Sequence, residues 1–280
     1  MSGESRDVGF KMQELLLEIL EGSMFYNQLE GVTITNSSRD TNGSNTQAQV
    51  THLGAYAYCD DGKELSGYDF KNDGFHVMVG RDGKPVVPRS EMVRLAYRYR
   101  KISEDYTQQR LLGQSKATQE QATGLRNDID RLCGGRLKQA RETLRATTRP
   151  RQQSSGAPPS VAMPGLFQGG GGSGEVINVV LSDLPLCSSL AQCVVCGLDG
   201  DILAANVYSS WQSDTASVLQ QIMARFEGAG TSFVCVQRVT GSSGGGEPNG
   251  RANHGAVGGP TGRAHAARTK ELTKACSSVS

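Results

Sequence analysis

The sequence predicts an α+β protein in which two small antiparallel-sheet units are joined by a long, partly coiled-coil-like helical segment and a disordered linker. Three observations lead there. Asp-Gly pairs at 61–62, 82–83 and 199–200 each sit between apolar runs, and Gly supplies the positive φ that a tight hairpin turn needs. Between 88 and 148 the apolar residues change to a spacing of three and four, the signature of a helix edge. Residues 149–175, RPRQQSSGAPPSVAMPGLFQGGGGSGE, are rich in Pro, Gly, Ser and Gln, with too little apolar surface to offset the entropy of ordering.

The domain reading follows those shifts: a small α+β unit over 1–87, a basic amphipathic helix or helical hairpin over 88–148, a flexible linker over 149–175, a second α+β unit over 176–240 and a disordered tail over 241–280. In the first unit, VGFKMQELLLEILEG (8–22) is a helix whose stripe includes Phe10, Leu16, Leu17 and Leu20, with Asp7 as N-cap and Gly22 as stop. The runs at 51–59, 65–70, 75–79 and 84–87 read as strands, with Tyr56, Tyr58, Val77 and Val79 marking alternation.

In the central segment, Met92, Leu95, Tyr99, Ile102 and Tyr106 form a heptad seam, resumed by Ala122, Leu125, Ile129 and Leu132. Gly113, Gly124 and Gly134-Gly135 are its weak points, each costing roughly 1 kcal/mol relative to Ala inside a helix. A helix greasy along one narrow edge needs something to cover it, so the seam is expected to bind partners as a homo- or hetero-oligomer. In the second unit, 176–182 is a strand, 190–198 and 201–207 form a hairpin about Asp199-Gly200, 214–227 is a helix capped by Ser213 or Asp214, and 232–239 is a last strand.

Net charge is +1 over 280 residues, but residues 94–151 hold 14 Lys/Arg against 6 Asp/Glu. Arg94, Arg98, Arg100 and Lys101 interleave with Tyr97 and Tyr99, so contact with nucleic acid through the basic helix and tail is one alternative function. The other is a zinc-stabilised module around Cys193 and Cys196. In a hairpin strand, however, residues three apart point to opposite faces, and no second Cys-x-x-Cys exists to complete a site. The remaining candidates for chemistry are sparse. His52, His76 and Cys59 fall in the first sheet without an orienting partner. GGGGSGE (169–175) lacks the Lys-Ser/Thr that ends a phosphate loop.

These residues therefore predict a non-catalytic adaptor or complex subunit, with no cofactor, no metal and no enzymatic activity, associating through the central helix. The polar start MSGESRDVGF and seven irregularly spaced cysteines place the expectation in a reducing compartment, cytoplasmic or nuclear, with no membrane span.

Overall fold

The computed structural model describes residues 3–39, 45–80, 83–113, 115–148, 176–227 and 231–234. The linker at 149–175, most of the strand expected at 232–239 and the tail at 241–280 lie outside the described residues. The chain divides into two compact units, Met1–Trp211 and Gln212–Ser280. The architecture is a mixture of helices and small sheets.

The first unit opens on α1 (Gly3–Ser23), whose buried residues Val8, Leu15, Ile19 and Leu20 form one face. Of the wide stripe expected, which Met12, Leu15 and Ile19 also widen, the Leu15, Ile19 and Leu20 side is buried while Phe10 and Leu17 face solvent. Asp7 and Gly22, expected as cap and stop, lie inside the helix. After α2 (Tyr26–Leu29), a four-stranded sheet forms from β1 (Thr33–Arg39), β2 (Asn45–Gln49), β3 (Met78–Val79) and β4 (Pro85–Val87), in the order β2-β1-β4-β3. The β3–β4 hairpin matches the expectation, with Gly83 at φ 76. However, β1 and β4 run parallel, with Thr33 opposite Val86, so the sheet is not purely antiparallel.

Two expected strands are absent. Leu53–Cys59 is a 3-10 helix, and 65–70 is a run of turns. Both runs turn back on themselves instead: Ala55 N–H donates to His52 O, Asp60 N–H to Ala57 O, Tyr68 N–H to Leu65 O and Phe70 N–H to Tyr68 O, at 3.1–3.2 Å. Asp60, Asp61, Asp69 and Asp73 bond the N–H groups of Gly62, Lys63, Lys71 and Phe75, after the two runs, at 2.9–3.1 Å, and such bonds compete with a sheet ladder there.

The central segment is helical: α3 (Met92–Thr107), α4 (Lys116–Leu132) and α5 (Arg136–Thr148). It breaks at Gln109 (φ 55), Gly113 (φ 72) and the pair Gly134 and Gly135 (φ 64 and 81), while α4 runs straight through Gly124. The seam is covered by the chain itself. Met92, Leu95, Tyr99, Ile102 and Tyr106 are buried, as are Ala122 and Leu125. The α3 helix packs on Leu53–Cys59, and α4 packs on α1. Each such Leu or Ile contributes roughly 1.5–3 kcal/mol to this core. Ile129 is half-buried, and Leu132 is exposed. The expected coiled coil is corrected accordingly: the stripe is real, but its partners lie in the same unit.

The largest correction falls on residues 186–209. Residues 190–198, expected as the first arm of a hairpin, lie instead largely in helix α6 (Leu186–Val195). It connects β5 (Val180–Ser182) to β6 (Val207–Ser209), which pair in parallel with Val180 opposite Val207. This is a β-α-β unit, not an antiparallel one. Eight of the ten α6 residues are buried, and a helix apolar all round packs inside a core. The α6 helix packs on α1 and β6.

In the second unit, α7 (Thr215–Arg225) begins as expected, with the Asp214 carboxylate accepting the Ser217 N–H. Val218, Ile222 and Met223 are its buried residues. No helix among the described residues is long and apolar enough to cross a membrane.

Candidate functional site

The parallel pair β5–β6 ends at Ser182 and Ser209, and the turn between β5 and α6 is pinned by serine side chains. Ser182 Oγ accepts from Leu184 N–H at 3.1 Å. Ser209 Oγ donates to Leu184 O at 2.6 Å and accepts from Trp211 N–H at 3.2 Å. Ser189 Oγ reaches the carbonyls of Leu184 and Pro185 at 3.2 and 3.0 Å. Ser210 N–H donates to Ser182 O at 2.8 Å, locking the two strand ends together.

This rigid turn delivers the first turn of α6 to a cleft. Pro185 precedes the helix and provides no side-chain cap, and the first N–H groups of a helix have no intrahelical acceptor. The cleft is walled by Glu30, Gln49, Tyr99, Cys187, Ser209 and Trp211, among others. The Gln49 side-chain amide donates to the Trp211 carbonyl, and His52 stacks on Tyr208 of β6 at 4.7 Å.

Glu30 is the group of most chemical interest. Its Oε1 accepts from Ser188 Oγ at 3.4 Å, and its Oε2 is buried with no hydrogen-bond partner. Burial pushes its carboxyl up to about 7, against a smaller pull downward from Ser188, so near neutrality it holds a proton about half the time. Cys187 lies alongside, its thiol donating to Met24 O at 3.9 Å. Burial, aided by the Glu30 charge, pushes that thiol far above its ordinary range. It is a protonated wall of the cleft, not a nucleophile. Asp183 follows β5 as an exposed carboxylate.

Of the expected partner-binding seam, Tyr99 lines this cleft, Met92, Leu95, Ile102, Tyr106, Ala122 and Leu125 belong to the core, Ile129 packs on its edge, and Leu132 is exposed. The basic residues proposed for nucleic acid turn toward the chain's own carboxylates. Arg94 bonds both oxygens of Glu91 at 2.9 and 3.0 Å. Arg100 pairs with Asp60 at 2.7 Å, and Lys101 with Asp105 at 2.7 Å. Arg98 is fully buried, held by Asp73 at 2.7 and 3.0 Å, Gln28 Oε1 at 2.6 Å and Phe70 O at 3.0 Å, with its guanidinium 4.0 Å from the Phe75 ring centre. Alternation of Arg and Tyr thus marks a clasp between α3 and the loop 60–76, in which Tyr97 OH donates to Asp61 at 2.7 Å.

Cys193 and Cys196, read as strand residues, lie on α6 and at its C-cap. Burial pushes the Cys193 thiol up to about 12. No group of three or more His, Cys, Asp or Glu able to hold a metal ion occurs among the described residues. The sequence reasoning missed Glu30, Ser182, Ser188 and Ser209. The signal that could have revealed the site is Cys196-Gly197-Leu198, a helix stop with Gly followed by an apolar residue. It would have turned 186–195 into a helix and 180–209 into a crossover unit.

No family model matches the chain. It is 22% identical over 242 residues to "Protein phosphatase eya" of Drosophila melanogaster, an alignment covering 82% of this chain and 26% of that protein. It is 24% identical over 228 residues to "Protein phosphatase EYA2" of Homo sapiens, covering 78% of this chain and 35% of that protein. The chain therefore spans between a quarter and about a third of the length of these curated relatives. Both are named as phosphatases. That finding corrects the expectations of a non-catalytic adaptor and of a chain without enzymatic activity, which rested on the lack of any motif recognisable along the sequence.

Proposed function

We propose that this chain supplies the phosphoryl-binding part of a phosphomonoester hydrolase, with the cleft at the carboxyl ends of β5 and β6 as its site. One observation carries the proposal: the β5-α6-β6 crossover, inside a chain four-fifths of which aligns with phosphatases. In α/β units, ligands bind beyond the carboxyl ends of the strands, and a helix N-terminus favours an anion through its free N–H groups and dipole.

In this reading the amides of Leu186, Cys187 and Ser188 take phosphoryl oxygens, and Ser188 Oγ adds a donor. Glu30, which holds a proton about half the time near neutrality, supplies a proton to an oxygen that leaves or accumulates charge. The serine-pinned turn holds these donors rigid before substrate arrives, so that little reorganisation is needed on binding. The class of substrate is a phosphate monoester.

The test combines binding and turnover. Inorganic phosphate added to the isotopically labelled full chain is expected to shift the amide resonances of Leu186, Cys187 and Ser188. Hydrolysis of p-nitrophenyl phosphate is expected to fall in Ser188→Ala and Glu30→Gln. Phosphate that leaves those three amides untouched, together with hydrolysis insensitive to both substitutions, would overturn the assignment.

A further inference from the structure

At the opposite end of α6 the same helix meets two arginines. Gly197 follows the C-cap with φ 68 and closes the helix: Leu198 N–H donates to Cys193 O at 2.8 Å, and Gly197 N–H to Val194 O at 3.0 Å. Arg126, from α4, fixes its guanidinium on the same end, with Nε 2.8 Å from Val195 O and Nη2 2.7 Å from Val194 O. The carbonyls of Cys193, Val194 and Val195 are thereby all taken.

Arg141, from α5, reaches the same spot. A Cβ built on Gly197 would stand 3.2 Å from the Arg141 guanidinium carbon, 3.2 Å from that of Arg126 and 3.1 Å from Arg126 Nε. Two cationic planes thus converge on the bare face of one glycine. Arg141 Nε is buried without a hydrogen-bond partner. Arg145, one turn further along α5, shows the contrast, since its Nε lies 3.2 Å from Asp201. Asp199 lies within electrostatic reach of both Arg126 and Arg141, yet it forms an ion pair with neither among the described residues.

The negative end of the α6 dipole draws both cations here and opposes an anion. But its carbonyls bond Arg126 and leave the buried Arg141 Nε without a partner, a donor that an oxyanion bound by both guanidiniums would satisfy. The planar guanidinium fork matches oxyanions that offer two oxygens at once. The glycine is what leaves room: any side chain here would be strained at φ 68 and would press on both arginines.

We infer that Arg126 and Arg141 form a second oxyanion site, on the floor of Gly197 at the C-terminal end of α6, which takes a phosphate group. Arg126 is the fixed arm, because its position is set by two carbonyls. Arg141 is the arm that gains its partner on binding. The site is separate from the strand-end cleft, which lies at the other terminus of the same helix, and it does not depend on the phosphatase reading.

The experiment uses the full chain, labelled for NMR and titrated with inorganic phosphate, and in parallel with a phosphopeptide and its unphosphorylated twin. Phosphate is expected to shift Gly197 and the Nε–H signals of Arg126 and Arg141. Arg141→Gln is expected to weaken this binding roughly tenfold, the usual loss for a charge-assisted hydrogen bond, with its thermal midpoint unchanged. Asp199→Asn, which removes the competing carboxylate, is expected to tighten it. Free phosphate as the ligand predicts equal affinity for inorganic phosphate and phosphopeptide. A peptide-borne group predicts tighter binding of the phosphopeptide and none of its twin. A Gly197 signal that stays still in both wild type and Asp199→Asn, or affinity unaltered by Arg141→Gln, would overturn the inference. The amides of Leu186–Ser188 report the cleft separately, so failure at one site leaves the other standing.

Discussion

Arg98 and Arg141 are both arginines drawn in from solvent, but they are answered in opposite ways. Arg98 is surrounded by acceptors: two oxygens of Asp73, Gln28 Oε1 and the Phe70 carbonyl, under an aromatic lid of Phe25, Phe70 and Phe75. Arg141 shares its place with another cation and has a buried Nε without a hydrogen-bond partner. A buried charge is tolerated when it is fully hydrogen-bonded. The first region therefore behaves as scaffold, tying the loop 60–76 to α3, and the second as a place prepared for something else. Carboxylate behaviour at the clasp agrees. Burial by itself would push Asp73 upward, yet bonds from Arg98 and from the Phe75 N–H hold it below the usual range.

Breaking the clasp should give the largest effect. Arg98→Met keeps the volume and removes the charge, leaving Asp73 buried without its cation, and is expected to cost about 3–5 kcal/mol of stability. Denaturant unfolding of the full chain would measure it. A loss below about 1 kcal/mol would mean that Asp73 finds water instead, and that the clasp is not what secures the loop.

Arg126 stands between the two cases, since it serves both as a cap and as one arm of the inferred anion site. Arg126→Met uncovers the Val194 and Val195 carbonyls at a half-buried helix end, and is expected to cost about 1–3 kcal/mol. Hydrogen exchange is the sharper measurement, because the loss should appear first in the last turn of α6. Uniformly faster exchange across α3 and α6 alike would erase the distinction between scaffold and site.

Legibility in the sequence divides along the same physical line. Helices α1 and α3 show through their apolar stripes alone, since α1 runs through both Asp7 and Gly22 and α3 has no side-chain cap. Helix α7 is evident, because an apolar stripe and the Asp214 cap agree. Helix α6 is not, because LCSSLAQCVV is buried almost all round and a short apolar run has no period that separates strand from helix. The runs at 51–59 and 65–70 carry strand composition, but N–H groups within them bond carbonyls two or three residues back, and Asp60, Asp61, Asp69 and Asp73 hold the turns that follow. The heptad seam marks a stripe that needs cover, and spacing cannot say whether that cover comes from the same chain. The cleft was the least legible part. Glu30, Gln49, Tyr99, Ser188 and Ser209 come from five separate elements, and a single serine or glutamate forms no pattern until the fold brings it to its neighbours.

Glu30 gives the finest contrast with the clasp, since it is a buried acid held by one weak bond where Asp73 is held by several. Its folded-state value of about 7 lies above the ordinary 4.5. Across that interval the folded protein keeps a proton that the unfolded chain has released, so stability falls as pH rises from about 4.5 and levels off once pH passes about 7. Tyr26 and Cys187, the titratable groups facing it from α2 and α6, are themselves pushed upward and stay neutral throughout. Glu30→Gln has no proton to lose and is expected to flatten this slope. It should match wild type near pH 4.5 and be the more stable protein near pH 8, as read by denaturant unfolding at the two values. If the slope persists unchanged in Glu30→Gln, another carboxyl is responsible, and the unpartnered Oε2 is already satisfied by water. In that case the cleft would lose its proton donor near neutrality while keeping its amide donors on α6.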